Sequence, residues 1–158
     1  MSVDPEVQRA YSAIMRSFIE NGHALHYTEL SNELGVDVEE GRRLQREAVA
    51  AGVGCWFVDG TDYIESFAPF YNAPTNVRVS VDGEQRWHAQ CGLEALAIRW
   101  VFPGRLIRID AMCLDCGEPI VITARDDEIL EVSPETVVGH MNQSFNPALS
   151  PDISRSFF

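Results

Sequence analysis

Apolar residues recur at helical spacing through the first third of the chain. Over residues 5–21 they fall three or four positions apart, which predicts a helix with one apolar face made of Val7, Ala10, Tyr11, Ile14, Met15, Phe18 and Ile19. Two shorter helices are predicted over residues 28–34 and 38–51, with Thr28 and Asp37 as the residues that cap their N-termini. The chain is therefore expected to begin with three helices.

After these helices the pattern changes to that of a β-hairpin. Residues 55–58 and 63–67 are rich in aromatic and β-branched side chains, and Asp59-Gly60 between them supplies the positive φ that a tight turn requires. Three helices followed by a hairpin resemble a winged-helix unit, because that unit also begins with a helix-turn-helix. The pattern thus predicts a winged-helix-like first domain over residues 1–70.

The remaining chain, residues 71–158, predicts an antiparallel or mixed β-sheet packed on one helix. Short strands are predicted at residues 76–81, 85–87, 106–110, 119–123 and 129–132, with a weaker strand signal at 136–140. The helix is predicted to start near Cys91 and to end before Pro103, and its buried face is expected to be Leu93, Leu96, Ala97, Trp100 and Val101. The predicted fold class is α+β.

Charge and composition narrow the expected partners. The chain has 158 residues and a net charge of −12, and its 12 basic residues are all arginine. The predicted third helix carries Arg42, Arg43 and Arg46 among four acidic residues, so nucleic acid is not an expected partner. No apolar run approaches the roughly 20 residues of a membrane span, and no signal-peptide pattern is present. These features predict a cytoplasmic protein without a membrane partner, with four reduced cysteines.

The candidate chemistry centres on Cys91 and Glu94, which lie where a strand pattern gives way to a helix pattern. Side chains three residues apart share one face of a helix, and N–H groups at a helix N-terminus favour a thiolate. A thiolate beside a proton donor suits attack on a soft metal or electrophile, followed by protonation of the leaving group. His88 is a further candidate for shifting the pKa of Cys91. The alternative is a buried structural cysteine near an exposed glutamate.

A second group of thiols lies downstream, in Cys113-Leu-Asp-Cys116-Gly. Two thiols on a tight turn have the geometry of half a zinc knuckle, but structural zinc takes four ligands and the sequence has no second turn of this kind. The side chains that could complete a zinc site, if the fold brought them near, are Cys55, His88, Cys91 and His140. Zinc is therefore the less favoured interpretation, and a turn that simply buries one cysteine is its alternative.

The order of these motifs resembles the alkylmercury lyase (organomercurial lyase) family. The resemblance is carried by Trp87-x-x-x-Cys91-Gly-Leu-Glu94-Ala-Leu, a Pro-Gly break, and Cys113-x-x-Cys116-Gly-Glu-Pro-Ile-Val-Ile-Thr123. With similar segments at residues 129–134 and 154–157, it extends over about residues 25–158. Enzymes of this family cleave a carbon–mercury bond by protonolysis. The resemblance implies that fold, that reaction and a small organomercurial substrate.

The resemblance also implies roles for individual residues. Cys91 matches the first catalytic cysteine of the family, Glu94 matches the proton-relaying aspartate with one more methylene, and Cys113 matches a cysteine regarded as structural. The second catalytic cysteine follows a Ser-Phe pair, and Phe158 stands at that position here. Cys113 or Cys116 is then the candidate second thiol, which makes Cys91, Cys113 and Cys116 the candidate mercury ligands. No organic cofactor is expected, mercury is part of substrate and product, and external thiols are expected partners.

Two other functions remain open from the sequence. A divergent member of the family would use Cys91 and Glu94 on another thiol-reactive substrate with a carbon–heteroatom bond, which the missing second thiol would favour. Alternatively, Cys91, Cys113 and Cys116 would bind zinc or a soft metal in a non-enzymatic sensor, and the winged helix would report that metal to DNA. Activity on a non-mercurial substrate would indicate the first of these functions, and metal bound to the purified protein would indicate the second.

Overall fold

The computed structural model describes residues 4–139. The chain divides into two compact units, Met1–Ala73 and Pro74–Phe158. The boundary lies within a Pro- and Asn-containing segment close to the one predicted between residues 70 and 71. Each unit has its own secondary structure and its own apolar core.

The first unit contains three helices followed by three short strands. The helices are α1 Pro5–Asn21, α2 Tyr27–Leu34 and α3 Val38–Ala51, and the strands are β1 Cys55–Phe57, β2 Ile64–Phe67 and β3 Phe70–Tyr71. The strands pair antiparallel in the order β1-β2-β3. These elements lie where the hydrophobic pattern predicted them, and their winged-helix character stays a prediction.

The core of this unit forms where the apolar face of α1 meets the strands. Phe18, Phe67 and Phe70 are fully buried, and the rings of Phe18 and Phe70 stack with centroids 5.2 Å apart. Asp37 caps α3 as predicted, by accepting a hydrogen bond from Glu40 N–H at 2.9 Å. The prediction that Thr28 caps α2 was wrong: His26 is the N-cap, because its ring accepts from Thr28 N–H while Glu29 reaches back to its backbone.

The arginines of α3 all pair with carboxylates. Arg42 and Arg46 both bind Asp62, whose side chain is largely buried, with nitrogen–oxygen distances of 2.5 Å. Arg43 binds Glu40 and Glu47 on its own helix. The positive charge that the sequence concentrates on this helix is thus neutralised locally.

The second unit is a five-stranded antiparallel sheet with one short helix. Its strands are β4 Arg78–Val81, β5 Glu84–His88, β6 Ile107–Met112, β7 Pro119–Arg125 and β8 Glu128–Ser133. They lie in the order β5-β4-β6-β7-β8, and each neighbouring pair is antiparallel. Helix α4, Gly92–Ala97, follows β5, continues as a 3₁₀ turn to Trp100, and contacts β6. The predicted α+β class and the sheet packed on a helix near Cys91 are confirmed.

The buried face of α4 differs from the predicted one. Leu93 and Trp100, both expected inside, are 44% and 64% exposed, whereas Cys91, Ala95 and Ile98 are buried. Residues 91, 95 and 98 are separated by four and three positions, so they form one stripe of the helix. The stripe formed by these three residues is the buried face of the helix, and Leu93 and Trp100 lie outside it.

The weaker strand predicted at residues 136–140 is absent from residues 136–139, which follow β8 as a turn and irregular backbone. His140 and the family-like segment 154–157 lie outside the described residues. Among residues 4–139, no helix is both long and apolar enough to cross a membrane.

Candidate active site

Cys91 lies at the junction between strand β5 and helix α4. The chain before it is held to the sheet by Ala89 N–H, which bonds Val77 O at 3.2 Å, and by the Thr75 hydroxyl, which donates to Ala89 O at 2.7 Å. Cys91 itself occupies the N-cap position in an extended conformation, and it is only 2% exposed. The Cys91 backbone is thus fixed at the start of α4, since Ala95 N–H also donates to Cys91 O at 3.0 Å.

Burial dominates the acidity of the Cys91 thiol. It raises the pKa of Cys91, and the nearby Glu94 charge raises it further. The backbone N–H groups of Leu93 and Glu94 approach the sulfur and oppose this shift, although they form no regular side-chain cap. The thiol therefore keeps its proton at neutral pH until a neighbouring base accepts that proton or a soft metal displaces it.

Glu94 is the base that the geometry provides. Its side chain extends from the first turn of α4, where burial raises the pKa of Glu94 to about 7, against the ordinary value of 4.5. The Gln90 N–H bonds the carboxylate and partly offsets this effect. Oxygen Oε2 is buried and has no hydrogen-bond partner within residues 4–139. A carboxyl group with this pKa can both accept and donate a proton near neutral pH.

Residues close to this pair in sequence also carry buried polar atoms without partners. Within residues 4–139, Gln90 Oε1, Glu94 Oε2 and Arg99 Nε are buried and have no hydrogen-bond partner. Buried polar groups in folded proteins are nearly always hydrogen-bonded, so the unpaired Glu94 oxygen is open to a ligand or to solvent. Gln90 and Arg99 were not singled out in the sequence, because no pattern distinguishes them from surface positions.

His88 binds the backbone of Thr75 and does not act on the Cys91 thiol. Its Nδ1 accepts a hydrogen bond from Thr75 N–H at 3.1 Å. Burial and the nearby Arg78 lower the pKa of His88, which favours the neutral ring at pH 7. The imidazole therefore acts as an acceptor that ties the end of β5 to residue 75.

Cys113 and Cys116 lie on the turn that joins β6 to β7. The turn is closed by Cys113 N–H to Glu118 O at 2.8 Å and by Gly117 N–H to Cys113 O at 3.0 Å, and Gly117 adopts a φ of +74°. The N–H groups of Cys116 and Asp115 and the Cys116 thiol bond the Cys113 sulfur, and they lower the pKa of Cys113. Cys113 is half-buried and Cys116 is exposed.

Sheet topology places Cys91 and the β6–β7 turn, with Cys113 and Cys116, at the same end of the strands. Strands β5 and β6 are both antiparallel to β4, which lies between them, so they run in the same direction. Cys91 follows the end of β5 and Cys113 follows the end of β6. Strands two positions apart in a sheet are separated by roughly 10 Å. In the part of the chain that the structure describes, no three His, Cys, Asp or Glu side chains are grouped to hold a metal ion. The three candidate mercury ligands are thus not preassembled as one site.

Comparison with known proteins identifies the family of this chain. A model of the alkylmercury lyase family (MerB) matches residues 70–152, which is more than half of the chain. The chain belongs to this family. The family match includes Cys91, Glu94 and both cysteines of the β6–β7 turn, and it confirms the resemblance found in the sequence.

Individual relatives match over shorter segments. The alkylmercury lyases of Bacillus cereus and Clostridium butyricum are each 38% identical over 68 residues, which is 41% of this chain and 29% of each relative. The matched segment thus spans less than a third of those enzymes. The crystal structure of the mercury-bound form of MerB2 has a TM-score of 0.60 with this chain at 18% identity, and covers 89% of this chain and 74% of that chain. This likeness shows a shared fold.

Proposed function

We propose that this protein cleaves the carbon–mercury bond of small organomercurials, with Cys91 capturing mercury and Glu94 moving the proton. The observation that carries the proposal is the Cys91–Glu94 pair, in which burial raises the pKa of the carboxyl group to about 7 and one of its oxygens has no hydrogen-bond partner among the described residues. Membership of the alkylmercury lyase family supplies the reaction class. No organic cofactor is needed for either step.

The first step is capture of mercury by the thiol. The Cys91 sulfur bonds to mercury of the substrate R–Hg–X, the Cys91 proton passes to the Glu94 carboxylate, and the anionic ligand X⁻ leaves. The raised pKa of Cys91 favours this route, because a buried thiol that resists ionisation transfers its proton directly to an adjacent base. The result is an organomercury group on Cys91 beside a neutral Glu94.

The second step is protonation of carbon. The Glu94 O–H proton goes to the carbon atom, the electron pair of the carbon–mercury bond stays with that carbon, and the hydrocarbon R–H leaves. Mercury(II) remains on Cys91 and Glu94 is again a carboxylate. Both steps leave every oxidation state unchanged. Burial supports this step because the raised pKa, about 7, keeps the proton on Glu94 until the carbon atom takes it.

External thiols complete the coordination of mercury in this scheme. Mercury(II) prefers soft sulfur ligands, and the described residues do not group a second and third side chain around Cys91. A small thiol from solution supplies the second sulfur during cleavage, and Cys113 and Cys116 are available to the product afterwards. The proposed partners are therefore an organomercurial and a monothiol.

A hydrocarbon-release assay tests the proposal. Purified protein with excess monothiol is incubated with a phenylmercury salt, and benzene is measured by gas chromatography. We expect benzene from the wild type and from Cys55→Ser, which changes a half-buried thiol of the first unit. Cys91→Ser should release none above the protein-free rate. Intact substrate after prolonged incubation with the wild type would exclude the proposed activity.

A further inference from the structure

The β6–β7 turn holds two thiols in a prearranged geometry. The Cys116 thiol and the N–H groups of residues 115 and 116 bond the Cys113 sulfur, while two backbone hydrogen bonds close the turn around it. Two sulfurs that share one metal ion at the usual distance of about 2.3 Å lie no more than about 4.6 Å apart. Sulfur atoms joined by a hydrogen bond already lie in this range, so little movement is needed to bind a metal between them.

The donor set of this turn selects the type of metal. Zinc in structural sites takes four ligands, and no group of three or more ligating side chains exists within residues 4–139. A thiophilic d¹⁰ cation such as mercury(II) is satisfied by two thiolates in a linear arrangement. The exposure of Cys116 leaves a path for the ion to enter.

The position of the turn connects it with Cys91. Cys91 and the β6–β7 turn follow two parallel strands at the same end of one sheet, and β4 lies between those strands. After cleavage, Cys91 alone would hold mercury(II) through a single protein sulfur. Two sulfurs on one turn form a chelate, and a chelate binds an ion more tightly because its second bond forms within the same molecule.

We propose that Cys113 and Cys116 form a second metal site, which accepts mercury(II) from Cys91 after the carbon–mercury bond is cleaved. The proposal rests on the lyase function above. In the transfer, bonds from mercury to the sulfurs of Cys113 and Cys116 form, and the bonds to Cys91 and to the small monothiol break. Of the two thiol protons displaced, one goes to Cys91 and the other to the departing monothiol. Mercury stays in the +2 state, so no oxidant or reductant takes part.

Mapping the protected cysteines after one turnover tests this transfer. The protein is mixed with one equivalent each of a phenylmercury salt and a small monothiol, then alkylated and analysed by peptide mass spectrometry. In the wild type we expect Cys113 and Cys116 to be protected by mercury and Cys91 to be alkylated. In Cys113→Ser and Cys116→Ser, Cys91 should be protected instead. Cys55→Ser is the matched control, and it should keep the wild-type pattern.

Competition with a monothiol measures how much more tightly the two thiols of the turn hold mercury than one of them does. Two thiols on a short segment act on each other at an effective concentration of roughly millimolar or more. Micromolar monothiol should therefore leave mercury on the wild-type turn and remove it from Cys113→Ser, with circular dichroism confirming that both proteins are folded. Equal retention by the two proteins, or mercury that bridges two chains, would overturn the site.

Benzene measured in the same samples separates this proposal from the lyase proposal. Benzene release with mercury left on Cys91 overturns the transfer and leaves the lyase function intact. Absence of benzene overturns the lyase function and with it the transfer. Mercury(II) chloride added to that sample then tests the turn alone, where protection of Cys91 in place of Cys113 and Cys116 overturns the site as well.

Discussion

Replacing Glu94 by glutamine should stabilise the protein at neutral and alkaline pH. Burial raises the pKa of Glu94 to about 7 from the ordinary 4.5, so the folded protein resists ionisation of this group. Glutamine has a similar shape to the neutral acid and carries no proton to lose. The Glu94→Gln variant therefore removes a cost of folding that the wild type bears whenever the carboxyl group of the unfolded chain is ionised.

The size and pH range of the effect follow from these two pKa values. Below about pH 4.5 the group is protonated in folded and unfolded chains alike, so the variant should match the wild type. Between 4.5 and 7 only the unfolded chain ionises, and the wild type loses stability as pH rises. At about 1.4 kcal/mol per pH unit, this interval corresponds to about 3 kcal/mol in favour of the variant above pH 7.

Urea unfolding followed by tryptophan fluorescence measures this difference. Both proteins carry Trp56→Phe, so the signal comes from Trp87 and Trp100 in the second unit. Glu118→Gln, at an exposed position, is the control and should stay within about 0.5 kcal/mol of the wild type at every pH. A Glu94→Gln variant whose advantage is the same at pH 4 and pH 8, or that is destabilised at pH 8, would refute the reasoning.

Three further outcomes are expected. Hydrocarbon release from protein preloaded with an organomercurial should fall about tenfold per pH unit above pH 7, because Glu94 must hold the proton; a flat profile in single-turnover assays would contradict this role. Gly41→Ala should cost about 1–3 kcal/mol by thermal unfolding, because its Cβ would lie 2.5 Å from Ser31 Cβ; an unchanged midpoint would argue against close packing of α2 on α3. Gly117→Ala, at a φ of +74° with open space around it, should cost about 1 kcal/mol in urea, and Gly117→Asn less; equal losses would argue against backbone strain.

The hydrophobic pattern was sufficient to predict most elements of both units. The apolar face of α1 follows the 3.6-residue period over Pro5–Asn21, and Asp37 caps α3 through its own side chain, so both depend on local residues alone. The strands β6 and β7 alternate buried and more exposed positions and are rich in β-branched residues, which distinguishes them from helices. Local chemistry thus determined these elements.

The phase of α4 and the full set of site residues depended on tertiary contacts. Leu93 and Trp100 are large apolar residues, yet they are exposed, whereas Ala95 and Ile98 are buried. Gln90 is buried by its position before Cys91, and nothing in its residue type predicts that. The thiol and carboxyl group at residues 91 and 94 were identified from their spacing, whereas the pKa that makes Glu94 useful arises from burial.

The most direct test of the central claim compares wild type with Glu94→Gln during a single turnover at pH 7. Mass spectrometry measures the phenylmercury group attached to Cys91, and gas chromatography measures benzene in the same sample. The account predicts that Glu94→Gln attaches phenylmercury to Cys91 more slowly, because Glu94 accepts the thiol proton, and that the attached group then releases benzene at least about 100-fold more slowly than in the wild type, as expected when a general acid is removed. Benzene release at the wild-type rate from Glu94→Gln would contradict the account.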